Sequence, residues 1–233
     1  MDDVAPGALR VGYVPGVTVS KWARRWTERF PDSPLDLVAV PQAEQDAALR
    51  DGRADMCFVR LPIDREGMHA IPLYRELPVV VVPKDHPISA FEEIAVADLA
   101  DERMQDADDI DGLAGTVELV VAVGGAAVMP HSLARLHHRR DLVFRPVTDL
   151  PETEIALAWP IERESDAIEE FIGIVRGRTE RSSRSPAVAK AVAAEKKPVQ
   201  RQSPGKRTSG GRGTTGRRNP HPGRGKPTRR RGR

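Results

Sequence analysis

The stretch LRVGYVPGVTVSKWARRWTERFPDSPLDLVAVPQAEQDAALRDGRADMCFVRL, residues 9–61, decides how this chain folds. Apolar residues alternate or cluster from Leu9 to Val14, which is strand character. They then switch to helical spacing at Val19, Trp22, Ala23, Trp26 and Phe30, and return to strand character over 35–40. A second helical set at Ala43, Ala47 and Leu49 stops at Asp51-Gly52, where glycine takes the left-handed conformation that a helix end favours. MCFV follows as a short buried strand. Two strand-helix-strand units in about 50 residues imply a parallel sheet whose ligand edge lies where strand C-termini meet helix N-termini.

Working outward, residues 62–67 read as a loop and 70–74 as a strand. The run LPVVVVP reads as a strand covered on both faces, because four consecutive valines leave no polar side to turn toward water. Residues 91–100 hold a short helix near 96–100. The text DERMQDADDIDGLAG (101–115) is too acidic and too poor in large apolar residues for a core, and reads as a solvated crossing segment. Thr116 is placed as the cap of a helix ending at Gly124-Gly125, and Ser132 as the cap of SLARLHH, with the strand AAVMP between them. Strands LVFRPV (142–147) and IALAW (155–159) follow. A terminal helix then sets Ile168, Phe171, Ile172 and Val175 on one face and Asp166, Glu169 and Glu170 on the other.

Charge divides the 233 residues sharply. Residues 1–189 carry 21 Lys and Arg against 33 Asp and Glu, a balance of −12; residues 190–233 carry 15 against Glu195 alone, or +14. The net charge of +2 is therefore a cancellation between an acidic body and a basic tail. Apolar periodicity ends near Thr179. Gly, Pro, Arg, Ser and Thr dominate from Pro198 onward, so 179–233 is expected to be a disordered basic tail. No apolar run reaches the ~20 residues of a bilayer span, and MDDVAPGALR lacks a signal-peptide pattern, so the expected compartment is the cytoplasm. The single cysteine, Cys57, excludes an intramolecular disulfide and sits among apolar neighbours, as a buried thiol does.

With these residues in view, LRVGYVPG, the helix ending in RFP, LRDGRADMCFVRLPI, VVVVPKDHP, AVGGAAVMPHSLA, LVFRPV and IALAW together resemble the effector-binding (substrate-binding) region of LysR-type transcriptional regulators over roughly residues 8–176. The resemblance implies an α/β, two-lobed fold like the type 2 periplasmic binding proteins, with a small molecule held between the lobes. It implies a lead of 1–7, a substrate-binding domain of 8–178 (lobe I about 8–78 and 149–178, lobe II about 79–148), and crossings near 79–84 and 144–148. Family members begin with a winged helix-turn-helix. This sequence opens a few residues before the first strand of the effector region, so sequence-specific DNA reading is not expected of it.

The loop Gly16, Val17 and Thr18 joins the first strand to the first helix, where free N–H groups suit an anion. Thr18 either offers its hydroxyl to that anion or caps the helix. Gln42, at a position the resemblance implies for effector contact, and Arg60 follow strands that end on the same edge. Arg60 either pairs with an acidic effector or bridges to a neighbour such as Asp64. Gly125 and Ala126 either approach the ligand by their backbone or form a plain helix end. The expected effector is an organic acid, with no cofactor and no metal. His137 and His138 face different sides of a helix and cannot share one metal comfortably. His131-Ser132 lacks the company of a triad, and there is no phosphate-binding glycine motif, so no enzyme is expected.

The tail residues Lys206, Arg207, Arg212, Arg217, Arg218, Arg224, Lys226, Arg229, Arg230, Arg231 and Arg233 come with no Phe, Tyr or Trp. They offer charge without stacking platforms, which suits DNA or RNA backbones regardless of sequence. The sequence thus points to a LysR-like effector-binding protein, homodimeric by resemblance, with non-specific nucleic-acid contact through its tail. The rival is a nucleic-acid-binding or interaction protein on a ligand-free scaffold; a cleft that is open and polar-lined, or filled by apolar side chains, separates the two.

Overall fold

The computed structural model describes residues 7–177. The basic tail and its cationic residues lie outside the described residues. In the first lobe, β1 (Leu9–Tyr13) pairs in parallel with β2 (Leu35–Ala39) and β3 (Met56–Arg60). The strand β4 (Met68–Glu76) and the returning β8 (Thr153–Pro160) complete the sheet in the order β2-β1-β3-β8-β4, with β8 antiparallel to both neighbours. The parallel part is the portion read from residues 9–61; the antiparallel part comes from the far end of the domain.

Both faces of this sheet are covered. On one, α1 (Ser20–Arg29) buries Trp22 and Trp26, four residues apart and hence on one helix face. Trp22 stacks on Phe58 with ring centroids 4.7 Å apart, and Trp26 packs on Phe30 and Phe171 while its indole N–H donates to the Ser33 carbonyl at 2.8 Å. The terminal helix α5 (Asp166–Val175) supplies Ile168, Phe171 and Ile174 to the same cluster. On the other face, α2 (Gln45–Arg50) packs Ala48 and Leu49 against Cys57, Val59, Ala156 and Ala158.

The second lobe is a three-stranded antiparallel sheet, β6-β5-β7, built from β5 (Pro78–Pro83), β6 (Ala127–Pro130) and β7 (Leu142–Pro146). Its valines divide by the two-residue period of a strand. Val79 and Val81 join the cluster containing residues of α3 (Leu113–Val123) and α4 (His131–Leu136), while Val80 and Val82 join Ile88, Ile94, Leu99 and Val147 on the other face.

Several expectations are corrected. Residues 79–82 and 144–146 lie inside the second sheet; the chain passes between sheets at Leu77 and again over 147–152. The acidic segment does not cross between lobes. It runs along the second sheet, where Met104 bridges Ala126, and Leu113 at its end is fully buried. Helix α3 therefore starts before Thr116, whose hydroxyl donates instead to the Asp106 carbonyl at 2.7 Å. Ser132 does not cap α4, which makes no side-chain cap bond. Glu170, assigned to the solvent face, is buried and paired with Arg29 at 2.9 Å. The cap of α5 is Ser165, whose hydroxyl accepts from the Ile168 N–H.

Candidate functional site

The carboxyl ends of β1, β2 and β3 come to one edge of the first sheet, and α4 of the second lobe stands opposite. Between them is a cleft of about 730 Å³, within the size range of small-molecule sites. Tyr13, Pro15, Gly16, Val17, Thr18, Ala39, Val40 and Pro41 form its first-lobe wall; Asp111, Ser132, Arg135 and Leu136 form the other. Gly16 is required where the walls meet. Its φ is +87°, and a Cβ there would stand 2.5 Å from the Ser132 hydroxyl.

Thr18 is in this wall and is not a helix cap, since α1 begins after Val19 without a side-chain cap bond. Gln42 has a structural part. Its side-chain oxygen accepts from Arg60, and its backbone N–H donates to Asp111. Arg60 is committed too. Its guanidinium donates from Nε and Nη2 to one oxygen of Glu76, at 3.1 and 3.0 Å, and from Nη2 to the Pro15 carbonyl at 3.1 Å. A longer contact, 3.4 Å, reaches the Ser132 hydroxyl across the cleft. Asp64, the neighbour proposed from sequence, pairs with Arg50 instead.

Arg60 thus anchors the junction of the lobes. Glu76 ends β4 at the first crossing, and Thr153, which starts β8 after the second, donates its hydroxyl to the same Glu76 oxygen at 3.3 Å. Burial pushes the nearby Tyr74 hydroxyl up to about 12, with Glu76 adding to the shift and Arg60 opposing it. Gly125 and Ala126 are not in the cleft wall. Ala126 is fully buried, and its backbone exchanges hydrogen bonds with the Arg103 carbonyl at 2.9 Å and the Gln105 N–H at 2.8 Å.

The uncommitted cation of the cleft is Arg135, which sequence reasoning passed over. It lies in the wall, exposed, and its guanidinium has no hydrogen-bond or ion-pair partner among the described residues. Ser132 and Asp111 were also missed as cleft residues. A serine and an arginine three residues apart on a helix share a face, which is a usable signal; nothing local singles out Asp111 among its acidic neighbours. Among the described residues no group of three or more His, Cys, Asp or Glu side chains is placed to hold a metal, and no helix is long and apolar enough to cross a membrane.

A mixed sheet and an antiparallel sheet with helices on their faces, joined by two crossings of the chain and separated by a partly polar cleft, define a type 2 periplasmic-binding-protein-like fold. The solved BenM effector binding domain with its effector benzoate has this fold, matching at TM-score 0.62 and 20% identity over 76% of this chain and 96% of that one. The family model for the LysR substrate binding domain matches residues 3–108. Among curated proteins, the Hca operon transcriptional activator HcaR of Escherichia coli (strain K12) is 24% identical over 200 residues, 73% of this chain and 67% of HcaR. A probable hydrogen peroxide-inducible genes activator of Mycobacterium xenopi is 32% identical over 95 residues, 40% of this chain and 50% of that one. These relatives are transcriptional regulators.

Proposed function

We propose that this chain is a cytoplasmic effector-binding module of transcriptional regulation that takes a small organic acid between its lobes. The observation that carries the reading is the guanidinium of Arg135, in the cleft wall and without a partner among the described residues, while Arg60 beside the cleft is already neutralised by Glu76. A carboxylate would pair with Arg135 and accept from Thr18 or Ser132, while its apolar body would lie against Val17 and Leu136. A cleft of this size with polar groups in both walls favours ligand binding over a filled, inert scaffold. Binding would act by shifting the balance of lobe arrangements, to the extent that the ligand prefers one of them.

The test is a thermal-shift and calorimetric screen of aliphatic and aromatic monocarboxylates against their neutral amides. Carboxylates are expected to raise the melting temperature and amides are not. R135Q is expected to weaken the best acid by about 10- to 100-fold, the worth of a charge-assisted hydrogen bond. Equal responses to acid and amide, or an unaffected R135Q, would refute the reading.

The basic tail is proposed to hold nucleic acid without sequence preference. Its support is composition: +14 over 190–233, with no aromatic side chain. Truncation after residue 177 should abolish retention of a random-sequence duplex, and retention by the full chain should fall steeply between 50 and about 200 mM salt. The homodimer implied by resemblance is part of the same proposal, tested by sedimentation of the full chain.

A further inference from the structure

The acidic segment of the second lobe reaches into the first. Both carboxylate oxygens of Asp111 are used there: Oδ1 accepts from the Gln42 N–H at 2.8 Å and Oδ2 from the Ala43 N–H at 3.0 Å, 69 and 68 residues away in sequence. Neither amide has a partner of its own nearby. The residue before them is Pro41, no side chain caps this turn, the Glu44 side chain is taken by Arg53, and that of Gln45 by the Arg60 backbone.

Asp111 is firmly tied to its own lobe. Its N–H donates to Asp109 Oδ1 at 3.1 Å, and two residues on, Leu113 is fully buried in the second core. A carboxylate anchored in one lobe and bonded through both oxygens to the other can keep those bonds only at one separation of the two sheets. Charge-assisted bonds of this kind are stronger than neutral ones. Among the described residues, the other polar contact across the cleft wall, Arg60 to Ser132, is long at 3.4 Å.

We propose that Asp111 is a latch that holds the two lobes at the separation seen here. The cleft keeps its volume of about 730 Å³ with the latch made, and Asp111 itself is part of its wall. The ligand therefore meets a preformed site and is spared the cost of ordering the lobes. This last consequence rests on the effector reading above; the latch does not.

The test measures the distance between the lobes in the full chain without ligand, by electron spin resonance. Spin labels are placed at the exposed positions Arg24 on α1 and Leu119 on α3 through R24C and L119C; Cys57 is fully buried and is passed over by the reagent. The native latch is expected to give one narrow distance. D111A is expected to add a longer-distance population, shifting the ratio of the latched separation to wider ones by about tenfold. D108A, which removes the same charge from the same exposed segment without a bond across the cleft, is expected to match the native distribution. Superimposable distributions for D111A and native protein, or equal broadening in D108A, would overturn the latch. Titration with benzoate separates the two ideas: a broadened D111A distribution in a protein that binds no acid upholds the latch and counts against the effector reading.

Discussion

Arg60 and Glu76 form an ion pair sealed from solvent, with the guanidinium side chain 2% exposed and the carboxylate side chain 4% exposed at 3.0 Å. All three donors that reach Glu76, two from Arg60 and one from Thr153, go to Oε2; Oε1 is buried with no hydrogen-bond partner among the described residues. Desolvating two charges is costly, and their attraction offsets that cost only while both are present. Removing Glu76 alone, as in E76A, is therefore expected to destabilise the domain by about 3–5 kcal/mol. The double replacement R60M/E76L should recover most of that loss. Urea unfolding of the three proteins checks it.

Gly16 is the second sensitive point. An alanine there would hold a left-handed φ and meet the Ser132 hydroxyl. G16A should cost about 1–3 kcal/mol in urea unfolding for the backbone strain alone. Adding S132A should return the part caused by the side-chain clash and leave the part caused by φ.

Cys57 lies on β3 with no exposed surface, and burial pushes its thiol up to about 12, with the charge of Asp46 adding to the shift. The thiolate that would react with a disulfide reagent is thus nearly absent at pH 8. A thiol assay is expected to read none in the native protein and one per chain in denaturant; rapid reaction in native buffer would contradict the packing described.

Asp55 predicts an acid dependence. Burial works against its carboxylate, but Arg10, which bonds it through side chain and backbone, and the charge of Arg163 outweigh burial and hold its pKa below the ordinary 3.8. A carboxyl depressed on folding stabilises fully above its unfolded pKa, and that stabilisation disappears as pH falls through the folded value. The stability gap between native protein and D55N should therefore be constant near neutrality and shrink as pH falls below 3.8. A gap that stayed constant into strong acid would exclude this pair as its source.

Elements whose pattern is set by neighbours a few residues away were legible in the sequence. Trp22 and Trp26 announce one helix face, and Leu9 to Tyr13 and Met56 to Arg60 announce strands. The valine run announces a strand buried on both sides, because a two-residue alternation of β-branched side chains suits a pleat and little else. The site was half legible. Gly16, Thr18, Gln42 and Arg60 do gather at the edge where parallel strands end, since strand-helix-strand geometry forces strand C-termini together.

Which of those residues are free was not legible. Arg60 was open to either an acidic effector or a neighbour such as Asp64; its true partner, Glu76, is brought beside it by β8 passing antiparallel between β3 and β4. Gly125 and Ala126 were open to either a ligand or a plain helix end; the acidic segment lies alongside and takes the N–H and carbonyl of Ala126.

The sequence by itself determined the order of strands and helices, the two-sided burial of the first sheet and of the valine strand, and the separation of an acidic body from a basic tail, because periodicity and charge are properties of adjacent residues. Only the tertiary structure decided that Arg60 is locked, that Arg135 is the cation left to the cleft, and that Asp111 bridges the lobes. The first and last are contacts between groups distant in sequence and the second is a side chain left without one; which partner the fold brings within about 3 Å decides each, at a desolvation cost that no local pattern records.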